Sequence, residues 1–482
     1  MKLCLINHNF RYEIEKLIRL FLPFEKLEYF ETSQISGSCV YTEIKGNMAI
    51  AKLFLGGKNS KSIENIEDIN DEKEKELKLA TALFSCFCEI TKYKPQWGLL
   101  TGVRPAKLFS RLVKLDGEEK TEEYFSKVLK VEPKKISLCK ETFSSEEKIV
   151  SLSKFDSFSL YISIPFCPSR CSYCSFVSHS VEQAKKLIPQ YVDLLCKEIE
   201  LTGEIANELN LRLETVYIGG GTPTTLTAEQ LDRVMKKVKD SFSLADLKEY
   251  TVEAGRPDTI TKERLLSIKN GGATRISINP QTMNNTVLNA IGRRHTAEDT
   301  QKAFRLARDL GFDNINMDLI AGLPTDTAES FEETLEKVLS LEPESVTVHS
   351  LSMKRSSNLS LSGELPEIES GKTASYMVDF AHKVLSQKGI IPYYMYRQSK
   401  TVGNLENVGY SKKGYECLYN VYIMDETHTI LACGASAVTK LKEPLGNQIE
   451  RIFNFKYPYE YIKCFDELMA RKDGIIEFYK KH

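Results

Sequence analysis

Six short apolar segments alternate with helical segments between residues 160 and 351, and this rhythm constrains the fold of the 482-residue chain more than any other feature. The segments have the length of β-strands and read LYISI, LETVYI, EYTVEA, RISI, INMDLI and SVTVHSL. Alternating strands and helices predict parallel βα units with right-handed crossovers. Six such units are too few to close an eight-stranded barrel. We therefore predict an α/β fold built on a partial barrel.

The chain on either side of these repeats has a different character. Residues 1–150 combine two β-like runs around Lys45-Gly46-Asn47, a predicted hairpin, with helical stretches, which predicts an N-terminal α+β accessory domain. Residues 158–390 hold the six repeats and form the predicted partial barrel. Residues 391–482 begin with the tyrosine-rich PYYMYRQ and contain scattered glycines, which predicts a small C-terminal region that completes the substrate site.

The overall composition excludes several classes of protein. With 65 basic and 66 acidic residues the net charge is −1, so nothing indicates a nucleic-acid partner or an anionic membrane surface. The sequence has no run of about 18 apolar residues, so no membrane insertion is expected. The N-terminal MKLCLINHNFRYEIEK lacks the apolar core and the cleavage site of a secretory signal. We therefore expect a cytoplasmic protein.

Three of the twelve cysteines are crowded into one stretch, Tyr161–Phe176, which reads YISIPFCPSRCSYCSF. Cys167, Cys171 and Cys174 are separated by three and then by two residues. Cytoplasmic thiols are mostly kept reduced, so disulfides do not explain the crowding. The nine scattered cysteines are expected to be small buried side chains. The prolines and polar neighbours of the crowded three place them on a loop after the first strand.

Three thiolates on one loop suit either a zinc ion or an iron–sulfur cluster. A structural zinc site needs a fourth ligand, for which His179 is the candidate. A cubane cluster can instead be held by three cysteines, which leaves one iron open to an exchangeable ligand. Because the sequence has no second cysteine pair nearby, the pattern favours a [4Fe–4S] cluster with an open iron, and zinc stays the alternative.

Further candidate residues lie at the ends of the same predicted strands. The segment GGGTPT, Gly219–Thr224, follows the second strand, Glu253 ends the third, and Asp318 lies near the end of the fifth. In parallel β/α folds the carboxyl ends of the strands share one rim, and active sites gather there. A glycine run alone indicates only a tight turn, and an acid at the rim commonly forms an ion pair. Their position beside the cysteine loop favours a functional interpretation.

The C-x3-C-x2-C spacing, with Tyr173 before the last cysteine, resembles the signature of radical S-adenosylmethionine (SAM) enzymes. The segments YISIPFC, YIGGGTPT, VEAGRPD, RISINPQ and NMDLIAGLP together resemble the oxygen-independent coproporphyrinogen III oxidase family, and WGLLTGVRP, ENVGYSKKG and GASAVTK resemble its HemZ-like branch. The resemblance implies a partial (β/α)6 radical-SAM barrel, a [4Fe–4S] cluster and one or two molecules of SAM. In that superfamily, an electron from the reduced cluster cleaves SAM to a 5′-deoxyadenosyl radical, which abstracts hydrogen from the substrate.

The resemblance also assigns roles to individual residues. Cys167, Cys171 and Cys174 would hold the cluster. The residues that would contact SAM match motif positions at the strand ends: Tyr161 against the molecule, Gly220, Gly221 and Thr222 on its methionyl and ribose side, Glu253 at the ribose hydroxyls, Gln281 and Arg293 at a second SAM or a carboxylate, and Asp318 on the fifth strand.

The implied activity is that of coproporphyrinogen dehydrogenase, an oxidoreductase of haem biosynthesis. It decarboxylates two propionates of coproporphyrinogen III to vinyl groups and yields protoporphyrinogen IX. The implied partners are the tetrapyrrole substrate and an electron donor such as flavodoxin or ferredoxin. A tetracarboxylate calls for cationic side chains, and tyrosines can stack on a tetrapyrrole. The candidates are Arg294, Lys354, Arg355 and Arg397, the last beside Tyr393, Tyr394 and Tyr396.

Two departures from the family leave alternatives open. Active oxidases carry a fourth cysteine two positions after the third, where this chain has Phe176, as the haem-chaperone branch HemW does. That branch also has an HNxxYW stretch, whereas this chain has Asn420 without an adjacent histidine, and His428 lies too late. The alternatives are haem binding or transfer, another radical reaction on a tetrapyrrole such as anaerobic haem breakdown, and a cluster that only holds the fold.

Overall fold

The computed structural model describes residues 1–30, 37–174, 179–352, 368–398 and 400–482. The chain divides into two compact units, whereas the sequence predicts three regions. The strands of the predicted C-terminal region belong to the same sheet as the barrel strands. The assignment of domains 1–150, 158–390 and 391–482 stays a prediction. The first unit is Met1–Lys140, Leu365–Lys372 and Arg397–Leu405, and the second is Glu141–Glu364, Thr373–Tyr396 and Glu406–His482.

The first unit has an α+β architecture. Its strands are β1 (Lys2–Ile6), β2 (Glu28–Tyr29), β3 (Cys39–Lys45), β4 (Met48–Leu55) and β5 (Lys58–Asn65). Their order in the sheet is β2-β1-β3-β4-β5. Strand β1 is parallel to its neighbours β2 and β3, whereas β4 is antiparallel to its neighbours β3 and β5. Lys45 pairs with Met48, so Gly46 and Asn47 form the two-residue turn of the predicted hairpin.

The helices that begin in this part of the chain are α1 (Arg11–Phe21), α2 (Glu72–Thr91), α3 (Pro105–Asp116), α4 (Glu118–Glu123) and α5 (Pro133–Val150). Helices α1 and α2 contribute buried side chains to the core of the first unit, where the rings of Phe21 and Phe87 stack 4.7 Å apart. The Asp71 side chain accepts a hydrogen bond from the amide of Lys73, which caps α2 at its first turn.

The second unit is organised around one long sheet. Its strands, together with the short pair β7–β8, are β6 (Ser157–Ile164), β7 (Phe166–Cys167), β8 (His179–Ser180), β9 (Arg212–Gly220), β10 (Glu249–Gly255), β11 (Arg275–Ile278), β12 (Ile315–Ala321), β13 (Ser345–Ser350), β14 (Ile391–Arg397), β15 (Glu406–Ser411), β16 (Thr429–Cys433), β17 (Val438–Lys442) and β18 (Ile449–Phe453). Among the described residues the order is β14-β15-β13-β12-β11-β10-β9-β6-β16-β17-β18.

The six predicted strands are the central, mutually parallel part of this sheet, β6 and β9–β13. Strand β16 extends the parallel part beside β6, and β15 pairs with β13 in the antiparallel sense. The ends of the sheet are β14 and β18, which do not pair with each other in the described part of the chain. The prediction of an open, partial barrel is confirmed.

The helices of the second unit connect these strands. They are α6 (Val181–Ala184), α7 (Ile188–Glu208), α8 (Ala228–Ser241), α9 (Lys262–Asn270), α10 (Asn285–Ala290), α11 (Ala297–Asp309), α12 (Ala328–Leu339), α13 (Ile368–Gln387), α14 (Leu418–Asp425), α15 (Pro458–Lys463), α16 (Phe465–Arg471) and α17 (Asp473–Lys481). A threonine side chain caps the first turn of four connecting helices, at Thr227, Thr261, Thr296 and Thr327. None of the helices described is long and apolar enough to cross a membrane.

The central strands are apolar on one face and polar on the other. Apolar side chains such as Ile162 and Val216 are fully buried on the first face. On the second face the register places Tyr161 beside Tyr217, Glu253 beside Ser277, and Asp318 beside Thr347. Buried parallel strands are usually apolar on both faces. The polar face, hereafter the inner face, is therefore the surface on which the six strands can hold a polar ligand.

Candidate functional site

The cysteine loop, residues 167–174, leaves the carboxyl end of the first barrel strand through β7. The amide of Cys174 donates to the carbonyl of Cys171 at 3.1 Å, which closes a turn between the last two cysteines. The amide of Ser172 donates to the carbonyl of Ile291 at 3.1 Å. The loop is thus fastened to the chain that follows α10, on the rim where the predicted site lies.

Hydrogen bonds reach two of the thiols from neighbouring strand ends. Thr222 Oγ1 donates to Cys167 Sγ at 3.5 Å, and Arg256 Nη1 donates to Cys171 Sγ at 3.7 Å. Cys171 is buried, whereas Cys167 and Cys174 are partly exposed. Hydrogen bonds to ligand sulfurs are a feature of iron–sulfur sites, so these contacts suit a metal-binding loop.

The donor set allows a test of which metal group the loop fits. Within the described ranges, no three His, Cys, Asp or Glu side chains are grouped closely enough to hold a metal ion, and this includes the three thiols of the loop. The ring of His179, the candidate fourth zinc ligand, packs edge-on against Tyr457 and Tyr459 at 6.1 and 6.2 Å. Three soft thiols on one loop therefore fit an iron–sulfur cluster with an open iron better than a tetrahedral zinc site.

The glycine segment after β9 packs directly against the start of the cysteine loop. A Cβ on Gly221 would lie 2.5 Å from the carbonyl oxygen of Phe166, and Gly220 has a φ of +106°, which favours glycine. The amide of Thr222 donates to the same Phe166 carbonyl at 2.7 Å. The glycines are thus required by the approach of two backbones, and the contacts of Gly220, Gly221 and Thr222 with SAM stay a prediction.

Glu253 lies on the inner face near the carboxyl end of β10 and is partly exposed. Its Oε1 accepts a hydrogen bond of 2.6 Å from the hydroxyl of Tyr217. Burial, opposed by the Tyr217 hydrogen bond and aided by the carboxylate of Asp318, raises the pKa of Glu253 to about 7. A carboxyl group with one donor and a pKa near neutrality can accept the hydroxyl groups of a ligand.

Asp318 and Gln281 are brought together across β11 and β12. The amide of Gln281 donates to the carbonyl of Asp318 at 2.9 Å, and Gln281 has a φ of +70°, which is rare outside glycine. The Asp318 side chain accepts from Asn316 at 2.7 Å and lies 3.8 Å from His349 Nε2. Burial opposes ionisation of Asp318, but His349 together with the hydrogen bonds from Asn316 and Thr347 outweighs it, and the pKa of Asp318 is lowered.

Arg293 connects the chain after β11 to the cysteine loop. Its Nη2 donates to the hydroxyl of Tyr173 at 2.9 Å, and its Nη1 donates to the carbonyl of Asn279 at 2.8 Å. The Arg293 side chain is buried, and its partner Tyr173 lies between Cys171 and Cys174 in the sequence. The predicted contact of Arg293 with a second SAM or a carboxylate stays a prediction, and its neighbour Arg294 is exposed.

Several polar atoms without a hydrogen-bond partner lie in β11 and in the stretch of chain that follows it. Buried polar groups nearly always have a hydrogen-bond partner. In the part of the chain that the structure describes, four buried side-chain atoms between residues 277 and 293 lack one: Ser277 Oγ, Asn279 Oδ1, Gln281 Oε1 and Arg293 Nε. Two of these residues, Ser277 and Asn279, were not predicted, although the polar–apolar alternation of RISIN is a signal for them. A polar ligand at this place would complete the set.

A stack of three tyrosines was also missed from the sequence. The rings of Tyr161 and Tyr217 lie 6.2 Å apart, and Tyr419 lies 4.5 Å from Tyr217 and 6.0 Å from Tyr161, all within 26° of parallel. The alternation in LYISI and LETVYI is a signal that Tyr161 and Tyr217 share a face. Nothing in the sequence places Tyr419, which comes from α14, against them.

The candidate cations for a carboxylate substrate have other surroundings than expected. Arg397 is buried in the first unit, where its Nε and Nη2 donate to the carbonyl of Asn404 at 3.3 and 3.0 Å and its guanidinium lies 5.4 Å from the Trp97 ring. These contacts explain Arg397 as a structural residue. Lys354 and Arg355 lie outside the described residues. Tyr393 and Tyr394 are core side chains of the second unit.

Comparisons with known proteins agree with this geometry. The model of the Radical SAM superfamily matches residues 161–338. The chain is 38% identical over 386 residues to the oxygen-independent coproporphyrinogen-III oxidase-like protein HemZ of Bacillus subtilis. The aligned residues cover 79% of this chain and 77% of HemZ. It is also 38% identical over 194 residues to the heme chaperone HemW of Bacillus subtilis, but this match spans 40% of the chain and only 50% of HemW.

Among solved structures, the coproporphyrinogen III oxidase HemN from Escherichia coli has a similar fold, with a TM-score of 0.52 and 23% identity over 68% of this chain and 74% of HemN. The superfamily match implies a [4Fe–4S] cluster and SAM, which fits the three thiols. The chain belongs to the radical SAM superfamily and, within it, to the oxygen-independent coproporphyrinogen III oxidase-like family that includes HemZ.

Proposed function

We propose that the protein is a radical SAM oxidoreductase that converts propionate side chains of coproporphyrinogen III to vinyl groups, giving protoporphyrinogen IX. One observation carries the proposal. The cysteine loop lies at the same rim as a polar inner face with four unpartnered atoms, in a chain 38% identical to a coproporphyrinogen-III oxidase-like protein. The identity supports the class of substrate, and the rim supplies the polar groups that such a substrate and SAM require.

The overall reaction balances without oxygen. Each propionate loses one hydrogen atom from the carbon next to the macrocycle and then carbon dioxide, which leaves a vinyl group and one electron for an external acceptor. The bound cluster and SAM supply the hydrogen-abstracting chemistry. The chain itself has to bind and orient the reactants and to exclude water from them.

The residues of the rim suit these tasks. Cys167, Cys171 and Cys174 would hold the cluster, which leaves the open position for SAM. Glu253 would accept hydrogen bonds from ribose hydroxyls, since among the described residues its carboxyl group has only the Tyr217 hydroxyl as a side-chain donor. The amide and acid groups that follow β11 and β12, Gln281 and Asp318, would bind further polar groups of SAM.

A second candidate function is haem binding or transfer. It is favoured by Phe176, which lies outside the described residues and stands where active oxidases have a fourth cysteine, and by the likeness to HemW. His428 does not support it, because its Nδ1 and Nε2 each lie 2.8 Å from a serine hydroxyl, those of Ser153 and Ser159. The segment that contains Asn420 forms α14, whose Tyr419 and Tyr422 are buried. We therefore rank decarboxylation first.

One anaerobic experiment separates the candidates. The reconstituted protein is incubated with SAM, a low-potential reductant and coproporphyrinogen III, and 5′-deoxyadenosine and vinyl products are measured by mass spectrometry. Decarboxylation gives both. Binding of haem in an absorbance titration without vinyl product supports the second candidate, and consumed haem with a linear product supports a different radical reaction. A protein with a full cluster that forms no 5′-deoxyadenosine would contradict radical chemistry altogether.

A further inference from the structure

Arg256 is a buried cation in direct contact with a cysteine of the loop. It follows the last residue of β10 and is only 3% exposed. Its Nη1 donates to Cys171 Sγ at 3.7 Å and to the hydroxyl and carbonyl oxygens of Ser169 at 2.9 and 3.1 Å. All of these hydrogen bonds from Nη1 therefore go to the cysteine loop.

The other edge of the same guanidinium is fixed by a carboxylate. Nε and Nη2 of Arg256 donate to the two oxygens of Asp258 at 3.0 and 2.8 Å, a two-pronged ion pair. This arrangement is rigid, because a planar fork that is bound at both edges cannot rotate away from the sulfur. Arg256 is thus held at a set distance from a ligand of the cluster.

The charges around Cys171 do not cancel. Two buried arginines, Arg256 and Arg293, lie beside the loop, whereas one carboxylate, Asp258, is paired with Arg256 and acts on Arg293 only through its charge. His295 Nδ1 lies 3.9 Å from Asp258, but burial and the two arginines lower the pKa of His295 to about 4, so it is neutral at neutral pH. The surroundings of Cys171 therefore carry an excess of positive charge.

Positive charge and hydrogen bonds at a ligand sulfur act on the redox equilibrium of an iron–sulfur cluster. Reduction adds one electron, so the reduced cluster interacts more strongly with a fixed cation than the oxidised cluster does. Net charge and hydrogen bonds to sulfur are among the factors that set cluster potentials. Thr222 offers an internal comparison, because its donor to Cys167 is an uncharged hydroxyl.

We propose that Arg256 is a positioning residue that raises the reduction potential of the cluster by donating a charged hydrogen bond to Cys171 Sγ. The cluster then accepts its electron from a weaker low-potential one-electron donor than it otherwise could. The proposal rests on the cluster of the superfamily and not on the identity of the substrate. It gives the Arg256–Pro257–Asp258 part of the VEAGRPD segment a role distinct from that of Glu253.

The test is an anaerobic redox titration of the full-length, reconstituted protein without SAM or tetrapyrrole. The reduced fraction is followed by electron paramagnetic resonance, and iron and sulfide are counted for each variant. At the midpoint potential of the wild type, Arg256→Gln is expected to lower the ratio of reduced to oxidised cluster about tenfold, which for one electron corresponds to 59 mV. Thr222→Val is expected to change the ratio less, by about threefold, since the lost donor is uncharged.

Arg264→Lys is the matched control. Arg264 is a partly buried arginine of α9 that donates to the carbonyl oxygens of Leu226 and Thr259, so its replacement should leave the potential unchanged. If Arg256→Gln does not hold a full cluster, Arg256→Lys keeps a charge near the sulfur and should titrate close to the wild type.

Two results would overturn the proposal. One is Arg256→Gln with full iron content and the potential of the wild type, which would leave Arg256 as a structural tie to Ser169. The other is loss of the cluster from both Arg256 variants, which would assign the residue to assembly of the loop. Because no substrate is present, a failure of the proposed decarboxylation would leave either result standing.

Discussion

Two glutamates on strand β10, four residues apart and on the same face, have opposite surroundings. Glu249 accepts hydrogen bonds from the amides of Leu418 and Tyr419 at 2.7 and 3.4 Å and from the thiol of Cys417 at 3.2 Å. Glu253 accepts a side-chain hydrogen bond only from the hydroxyl of Tyr217 among the described residues. The carboxylate of Glu249 already accepts hydrogen bonds from the N-terminus of α14, whereas that of Glu253 can still accept hydrogen bonds from a ligand.

The same difference extends over the two ends of the inner face. At the amino end, Glu214 accepts from Ser157 at 2.6 Å and from Tyr422 at 3.1 Å, and His428 contacts a serine hydroxyl with each ring nitrogen. At the carboxyl end, four buried polar atoms of the described chain have no partner. Buried atoms without a partner also occur near the amino end, as at Arg275 Nε, so unfilled bonding capacity supports the site only together with the neighbouring cysteine loop.

The largest expected effect distinguishes thiols at the two ends. Cys171→Ala removes one of the three proposed cluster ligands, and we expect reconstituted protein to lose nearly all of its iron and its visible cluster absorbance. Cys417→Ser is the control, because Cys417 is a buried thiol at the amino end whose contact with Glu249 a serine hydroxyl can replace. A full complement of iron in Cys171→Ala would show that the three cysteines do not hold the cluster.

The next comparison exchanges each glutamate for glutamine. Glu249→Gln should lower the free energy of unfolding by about 2 kcal/mol, because two helix-terminal amides and a thiol lose a charged, buried acceptor. Glu253→Gln should raise it at pH 8 by up to about 3 kcal/mol, since ionising a carboxyl group whose pKa is about 7 in the folded protein and 4.5 in the unfolded chain costs about that much there. Denaturant unfolding of the reconstituted proteins measures both changes.

Binding of SAM should respond in the opposite order. Glu253→Gln is expected to weaken SAM binding about tenfold, measured by anaerobic calorimetry, because ribose hydroxyls lose a charged acceptor. Glu249→Gln should bind SAM as the wild type does, as long as the folded protein is measured. Equal losses of stability in the two variants would contradict the division of the inner face into a structural and a ligand-binding end.

The fold was more predictable than the site because strand alternation is a local signal. The six parallel strands and the caps of their helices follow from short apolar runs and from residues such as Thr227 that precede each helix. Strand β16 pairs with β6 across more than 260 residues of sequence, as between Thr429 and Phe158, and no local pattern encodes that pairing. The prediction therefore stopped at six parallel strands where the structure has seven within the described residues.

The site shows the same limit in another form. The cysteines are predicted from their spacing and the acids from motifs, and each of these signals is a property of one segment. The segment VEAGRPD contains Arg256 but does not indicate its role, since its contact with Cys171 depends on two loops that are 85 residues apart. Arg397 was expected near a substrate because it follows a run of tyrosines, yet it donates to the backbone carbonyl of Asn404. Composition cannot tell a saturated guanidinium from an available one.

A smaller effect follows from the buried histidine at the amino end. Burial lowers the pKa of His428 to about 3 from the ordinary 6.5, so the folded protein resists its protonation while the unfolded chain does not. This stability is present above pH 6.5 and is lost as the pH falls. We expect the advantage of the wild type over His428→Gln in unfolding free energy to shrink by about 1.6 kcal/mol from pH 6.5 to pH 5.

Glu253 should give the opposite slope over the same interval. Its raised pKa makes the folded state more stable as the pH falls from 7 towards 4.5, so the deficit of the wild type relative to Glu253→Gln should shrink. The two contributions partly cancel in the wild type, and only the single variants separate them.

If the wild type and His428→Gln differed by the same free energy at both pH values, His428 would not be the neutral, saturated group that its two serine contacts indicate.

The smallest effect tests whether Glu253 binds SAM as a carboxylate. With a pKa of about 7, the ionised fraction falls about fourfold between pH 8 and pH 6.5, and the affinity for SAM should fall by at most the same factor, because a protonated acid accepts ribose hydroxyls less well. Glu253→Gln retains any titration of SAM itself, so the ratio of the two dissociation constants isolates the contribution of the residue. A ratio that stays constant with pH would mean that Glu253 keeps its Tyr217 bond and its proton when SAM is bound, and it would then resemble Glu249 more closely than their contacts suggest.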